Sequence, residues 1–254
     1  MRGFASRRGF LTAACACAVC GPAGAAATSG LIEPNMRLRG ASAAGTTVAL
    51  TLDACPGHFD LRIAEALVRN AVPATVFATG AWIRHNPEGV AFLRAHPDLF
   101  AIENHGDRHV PPVLGDRAVF GIAAAGDIAS IQREVSRGAD DIQMLTGARP
   151  RWYRGATGFY SPPALPAIEG WGAAIAGYSL NGDQGASLPA DVVARRIAAA
   201  VDGDVIVAHV NQPTRSSGQG VVEGVQALCE RRVRFVRLDR LWRSDVSYGA
   251  PADL

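Results

Sequence analysis

"VALTLDACPG", residues 48 to 57, is an apolar, partly β-branched run that breaks into Asp53, Ala54, Cys55, Pro56 and Gly57. It reads as a strand over Thr47–Leu52 delivering an acid and a thiol to its carboxyl end, with Pro and Gly ending the element. Working outward, similar short runs recur at Ala74–Thr79, Phe100–Asn104, Arg151–Arg154, Ala173–Leu180, Val205–Val210 and Arg234–Leu238. Between them lie helical patterns at Asp60–Asn70, Asn86–Ala95, Leu188–Val201 and Gly220–Arg231. Asp60 and Asn86 are suited to capping, and Pro87 to a first helical position. The alternation predicts an α/β fold with a parallel sheet of seven strands, closed as a barrel or open and doubly wound. In both forms the chemistry sits at the carboxyl ends of the strands.

The chain is 48% hydrophobic and 19% charged, with a formal net charge of +2, which suits one globular domain. All the basic residues are arginine, and their scatter forms no stripe for phosphates, so no nucleic-acid partner is expected. The first 27 residues read as a twin-arginine export signal: Arg7-Arg8, then Phe10-Leu11, then a weakly apolar stretch ending in small residues. Gly21, Pro22 and Gly24 interrupt that stretch, which argues against a permanent membrane span and for a periplasmic or secreted destination. Cys15, Cys17 and Cys20 lie in the signal without a good lipidation motif, which leaves Cys55 and Cys229, both expected as free thiols. Residues 28–45, rich in Ala, Gly and Ser, read as a flexible lead-in, and 46–254 as a single α/β domain, expected to act as a monomer.

The polar residues fall where that fold puts chemistry. Asp53 follows the first strand, His105 and His109 the third, Arg154 ends the fourth, Asp183 follows the fifth, and His209 ends the sixth. A single acid there could merely cap a helix, and a lone histidine could simply be a satisfied surface or core residue. Their convergence on one face favours a site. "NHGDRH", 104–109, spaces two imidazoles four residues apart, which would put both on one side of a helical turn, able to share a divalent ion. His85 and His96 fall on the far side of the second strand and read as surface residues, and Trp82, Trp152 and Trp171 as wall or core.

"VALTLDACPG", "NHGDRH", "YRGATG" (153–158), "YSLNGDQGA" (178–186) and "VIVAHV" (205–210) together resemble the five ordered motifs of the polysaccharide deacetylases, carbohydrate esterase family four. The resemblance runs from about Thr46 to Leu241 and implies a distorted (β/α)7 barrel. It further implies a hydrolase removing N-acetyl groups from an amino sugar polymer such as peptidoglycan or chitin, with a divalent metal, zinc by preference, that polarises the carbonyl and activates water. Carried over, His105 and His109 would hold the metal, Asp53 would be the base, and Arg154 would orient it. His209 would be the general acid, tuned by Asp183, and the Thr157 N–H would face the oxyanion.

Ala54 departs from that pattern, since the family has a second, metal-binding aspartate there, and Cys55 stands where glycine is usual. The resemblance therefore implies a weakened site, with Cys55, His58 or Asp183 as candidate substitutes, and an Ala54→Asp change that would restore a ligand. Asn211, just after His209, is a candidate substrate contact. Two other readings follow from the same departure: an inactive carbohydrate-binding protein of this fold, or a metal-independent amidase acting on a small molecule.

Overall fold

The computed structural model describes residues 28–40 and 45–249. The twin-arginine segment, 1–27, lies outside them. Twelve strands occur among the described residues: β1 Met36–Leu38, β2 Thr47–Ala54, β3 Ala74–Ala78, β4 Phe100–Asn104, β5 Ala118–Val119, β6 Ile122–Ala123, β7 Trp152–Tyr153, β8 Ala174–Ile175, β9 Leu180–Asn181, β10 Val205–His209, β11 Arg234–Phe235 and β12 Val246–Tyr248. Seven helices accompany them: α1 Leu61–Arg69, α2 Gly80–His85, α3 Pro87–Ala95, α4 Ile128–Thr146, α5 Ala164–Gly170, α6 Ala190–Ala198 and α7 Ser217–Glu230.

The main sheet is parallel, in the order β8-β7-β4-β3-β2-β10-β9, with β11 also on β2. The run predicted as one strand over Ala173–Leu180 is two short ones, β8 paired to β7 and β9 paired to β10. Those are the two ends of the sheet. Because only residues 176–179 separate them, this one segment crosses the gap and curls the sheet into a distorted (β/α)7 barrel.

Strand β2 is buried along its whole length, as a central parallel strand covered on both faces must be. Its side chains alternate. Val48, Leu50, Leu52 and Ala54 join the outer core with Ile63, Leu67, Trp82, Leu93, Ile197 and Leu228 from the surrounding helices. Ala49 belongs to a separate inner core with Phe77, Trp152 and Val205, while Thr51 and Asp53 supply polar groups to the network described below.

The expectation of a flexible lead-in is corrected over 28–40. Met36–Leu38 pairs antiparallel with Val246–Tyr248, and Met36 is fully buried in the inner core beside Val246. Arg37 binds the Asp204 carboxylate at 2.6 Å and the Asp202 carbonyl at 2.8 Å. The Ala, Gly and Ser content concealed one well-placed apolar residue and one arginine.

Helix α4 was not anticipated. Asp127 caps it by accepting from the Ser130 N–H at 2.6 Å, and Gly147 ends it in the left-handed region at φ 77°. Gly138 in its middle obscured the helical reading and is what lets the helix seat. A Cβ there would lie 2.4 Å from Asn104 Oδ1 and 2.5 Å from the Gly106 carbonyl, so α4 packs directly on the loop that carries His105.

Candidate metal and acid–base site

The carboxyl ends of β2 and β4 bring three donors together. Cys55 Sγ, His105 and His109 offer ligand atoms that all lie within 4.8 Å of one another, and Cys55 Sγ is 3.4 Å from His105 Nε2. The strand's alternation explains the cysteine: Asp53 faces the site, Ala54 faces the outer core, and Cys55 comes round to the side of Asp53. Ala54, fully buried among apolar side chains, is on the wrong face to be replaced usefully by a carboxylate. The expectation that Ala54→Asp would restore a ligand is therefore corrected.

His105 and His109 do not share a helical turn, since residues 105–110 carry no helix. They meet because His109 adopts a left-handed backbone at φ 68°, which brings the two rings to 5.0 Å between centroids. Buried Glu134 on α4 holds that turn, accepting the N–H groups of Arg108 at 2.8 Å and Val110 at 3.0 Å, one on each side of His109. His105 Nδ1 donates to the Arg154 carbonyl at 2.8 Å, which fixes its tautomer and leaves Nε2 turned toward Cys55.

Asp53 is almost fully buried and paired. Its Oδ1 accepts from Arg154 at 2.7 Å, and its Oδ2 stands 3.8 Å from His105 Nε2. Arg154, itself buried, also donates to Thr51 Oγ1 at 2.8 Å and to the Gly177 carbonyl at 3.0 Å, so its fork is rigid. Burial opposes the charge on Asp53, but Arg154, His105 and His209 outweigh it and hold the carboxyl below its usual range. Burial likewise opposes a Cys55 thiolate, and the two imidazoles overcome it, placing the thiol well below the ordinary value.

His209 stands opposite Asp53 in register on the adjacent strand. Asp183, fully buried, uses both oxygens on it: Oδ1 accepts from Nδ1 at 2.8 Å and Oδ2 from the backbone N–H at 2.7 Å. Burial alone would lower the pKa of His209. The ion pair with Asp183, helped by Cys55, raises it well above the usual value. That pairing favours the protonated imidazole, whose other nitrogen faces Cys55.

Of the remaining candidates, His58 is exposed and outside the donor cluster, and Asp183 is engaged by His209, so neither stands beside the imidazole pair. Asn211 is buried, with its amide N–H bound to the Pro56 carbonyl at 3.2 Å and its Oδ1 without a partner. Thr157 sits three residues past Arg154 with φ 70°, an unusual value for a β-branched residue, and its buried hydroxyl is also unpartnered. Cys55 and Cys229 are both free. His85 is exposed and His96 half-buried against Phe92 and Phe100. Thr51 and Glu134 escaped the sequence reading, because a strand threonine and a mid-helix glutamate carry no motif.

Three donors of one thiolate and two imidazoles suit a borderline-soft ion such as zinc better than magnesium or calcium, and leave a fourth position for an oxygen ligand. Among the described residues no helix is long and apolar enough to cross a membrane. Solved structures of similar fold include a family-four carbohydrate esterase from Streptomyces lividans in complex with acetate, at 20% identity over 75% of this chain and 91% of that one, with a TM-score of 0.59. A peptidoglycan deacetylase from Bacillus subtilis matches at 18% identity over 77% of this chain and 89% of that one, with a TM-score of 0.61. A family-four pseudoenzyme from Bacillus anthracis matches at 19% identity and a TM-score of 0.62, over 78% of this chain but only 65% of that protein's length. None of the curated proteins matches. The polysaccharide deacetylase family model covers residues 41–176, more than half of the chain, from the first motif through the Arg154 loop, and the protein accordingly belongs to the polysaccharide deacetylase family.

Proposed function

We propose that this protein is an exported, metal-dependent deacetylase that hydrolyses N-acetyl groups on an amino sugar polymer, and that Cys55, His105 and His109 hold the metal. The observation that carries the reading is the Cys55–His105–His109 cluster beside a buried Asp53–Arg154 pair, with His209–Asp183 in register across the strand. When bound, the ion would polarise the acetyl carbonyl and lower the pKa of water. Asp53, held ionised by Arg154, accepts a proton from the attacking water. His209, held protonated by Asp183, gives a proton to the departing amine, so that acetate and a free amino group leave. The Thr157 N–H supports the oxyanion, and Asn211 Oδ1 is a buried acceptor without a partner near the site. Such division between a lowered carboxyl and a raised imidazole is how one site runs base and acid chemistry together.

The alternation at Asp53-Ala54-Cys55 supports activity over the inactive reading, because the ligand missing at Ala54 has a replacement at Cys55. The test is acetate release from neutral chito-oligosaccharides and from peptidoglycan fragments, before and after chelation and zinc restoration. Release that is lost on chelation and returns with zinc is the expected result. Release that survives chelation would assign a metal-independent amidase, and none in any condition an inactive binder. Export by the twin-arginine route belongs to the same proposal: Arg7→Lys with Arg8→Lys keeps the charge and should retain the protein in the cytoplasm. The active species is taken as a monomer.

A further inference from the structure

A second concave surface lies on the outer side of the loop that joins the two histidines. It is a cavity of about 450 Å³, within the range of small-ligand sites, between residues 107–110, the 123–125 segment and one face of α4. Ser130, Arg133, Glu134 and Arg137 recur there at helical spacing, and Arg108 faces them from the loop. A smaller hollow of about 280 Å³ adjoins it, sharing Asp107 and Arg137.

The charges around this cavity are unequally committed. Asp107 and Asp141 are both bound by Arg84, and Asp140 by Arg149. Glu134 spends Oε1 on the N–H groups of Arg108 and Val110. Asp127 caps α4. Among the described residues the Arg108 and Arg137 guanidinium groups have no hydrogen bond or ion pair, and Arg133 has only the Ser130 hydroxyl at 2.8 Å. Three arginines therefore line one hollow with their guanidinium donors largely unused, and such planar forks match the two oxygens of a carboxylate or phosphate.

We propose that this cavity is an anion subsite that takes a carboxylate or phosphate group carried on the glycan, alongside the residue whose acetamido group enters the site. The link to the site is covalent and short, since Arg108 precedes His109 and Val110 follows it. The inference rests on the deacetylase reading for the identity of the polymer, but the binding of an oxyanion by the three arginines does not depend on turnover.

The experiment is equilibrium binding of three oligomers of matched length: a neutral N-acetylglucosamine oligomer, one bearing 3-O-lactyl carboxylates, and one bearing phosphodiesters. Each is titrated into the full chain, an Arg133→Gln/Arg137→Gln variant, and an Arg69→Gln/Arg94→Gln variant with the same change of net charge elsewhere. The expected result is that at least one anionic oligomer binds about tenfold or more tighter than the neutral one, with the advantage lost in Arg133→Gln/Arg137→Gln and kept in the control. Which anionic oligomer shows it identifies the group. Equal binding of neutral and anionic oligomers, an advantage unchanged in the cavity variant, or no binding of any oligomer overturns the proposal. Acetate release is scored separately, so charge discrimination without acetate would sink the deacetylase reading alone, and acetate without discrimination the subsite alone.

Discussion

At the level of single residues, the site turns on a strand's period of two. Asp53 and Cys55 share a face because one residue separates them, and Ala54 between them is packed into the outer core. Ala54→Asp should therefore cost about 1 to 3 kcal/mol or more of stability by burying an unpaired carboxyl, with no gain in zinc affinity. Urea denaturation and zinc titration of the variant check both parts. Asp183→Asn should remove the charge that lifts the His209 pKa. The alkaline limb of kcat against pH, where the acid is lost, then moves to lower pH, while His209→Ala lowers kcat by about 10² to 10⁴. A limb that stays in place in Asp183→Asn would show that another group is the acid. The convergence of Asp53, His105, Arg154, Asp183 and His209 was legible in the sequence, since each ends or follows a strand, whereas the roles proposed for them came from the resemblance. Cys55 stayed one of three open candidates, because deciding among them needs side-chain direction, and Glu134 was invisible because its work is to hold the turn around His109 from a helix far along the chain.

Among the elements, β2, β3, β4 and β10 stood out as continuous apolar runs. The runs at Arg151–Arg154, Ala173–Leu180 and Arg234–Leu238 were legible too but too long, because β7, β8, β9 and β11 are two residues each and owe their extent to their neighbours. The segment between Ala173 and Leu180 looked like one strand since every part of it pairs or packs, but it pairs with opposite ends of the sheet. The strand β1 was concealed by its flanks. Met36→Ala should cost about 2 to 5 kcal/mol, as truncation of a fully buried side chain in the inner core. Thermal or urea unfolding measures it, and a loss below about 0.5 kcal/mol would mean that the segment is dispensable, as its composition suggested.

For the whole molecule, pH stability has one term that can be isolated. Glu103 on β4 ties two strands by accepting the N–H groups of Arg151 at 2.9 Å and Trp152 at 2.8 Å. Burial raises its pKa from 4.5 to about 7 despite those bonds. A raised folded pKa favours the protonated fold, so its contribution is complete below about pH 4.5 and is lost as pH rises through about 7, by roughly 3 kcal/mol. Glu103→Gln keeps an acceptor and should flatten that part of the stability curve, and an unchanged curve would place the titration elsewhere. The central claim, that a thiolate and two imidazoles hold a metal beside Asp53, is tested most directly by titrating the metal-free protein with cobalt(II) and recording its spectrum. The account predicts one tightly bound ion with thiolate-to-cobalt charge-transfer absorption, and in Cys55→Ser the loss of that absorption with about 10 to 100-fold or greater weakening of affinity. A protein that binds no ion, or one whose spectrum and affinity are the same in Cys55→Ser, would contradict it.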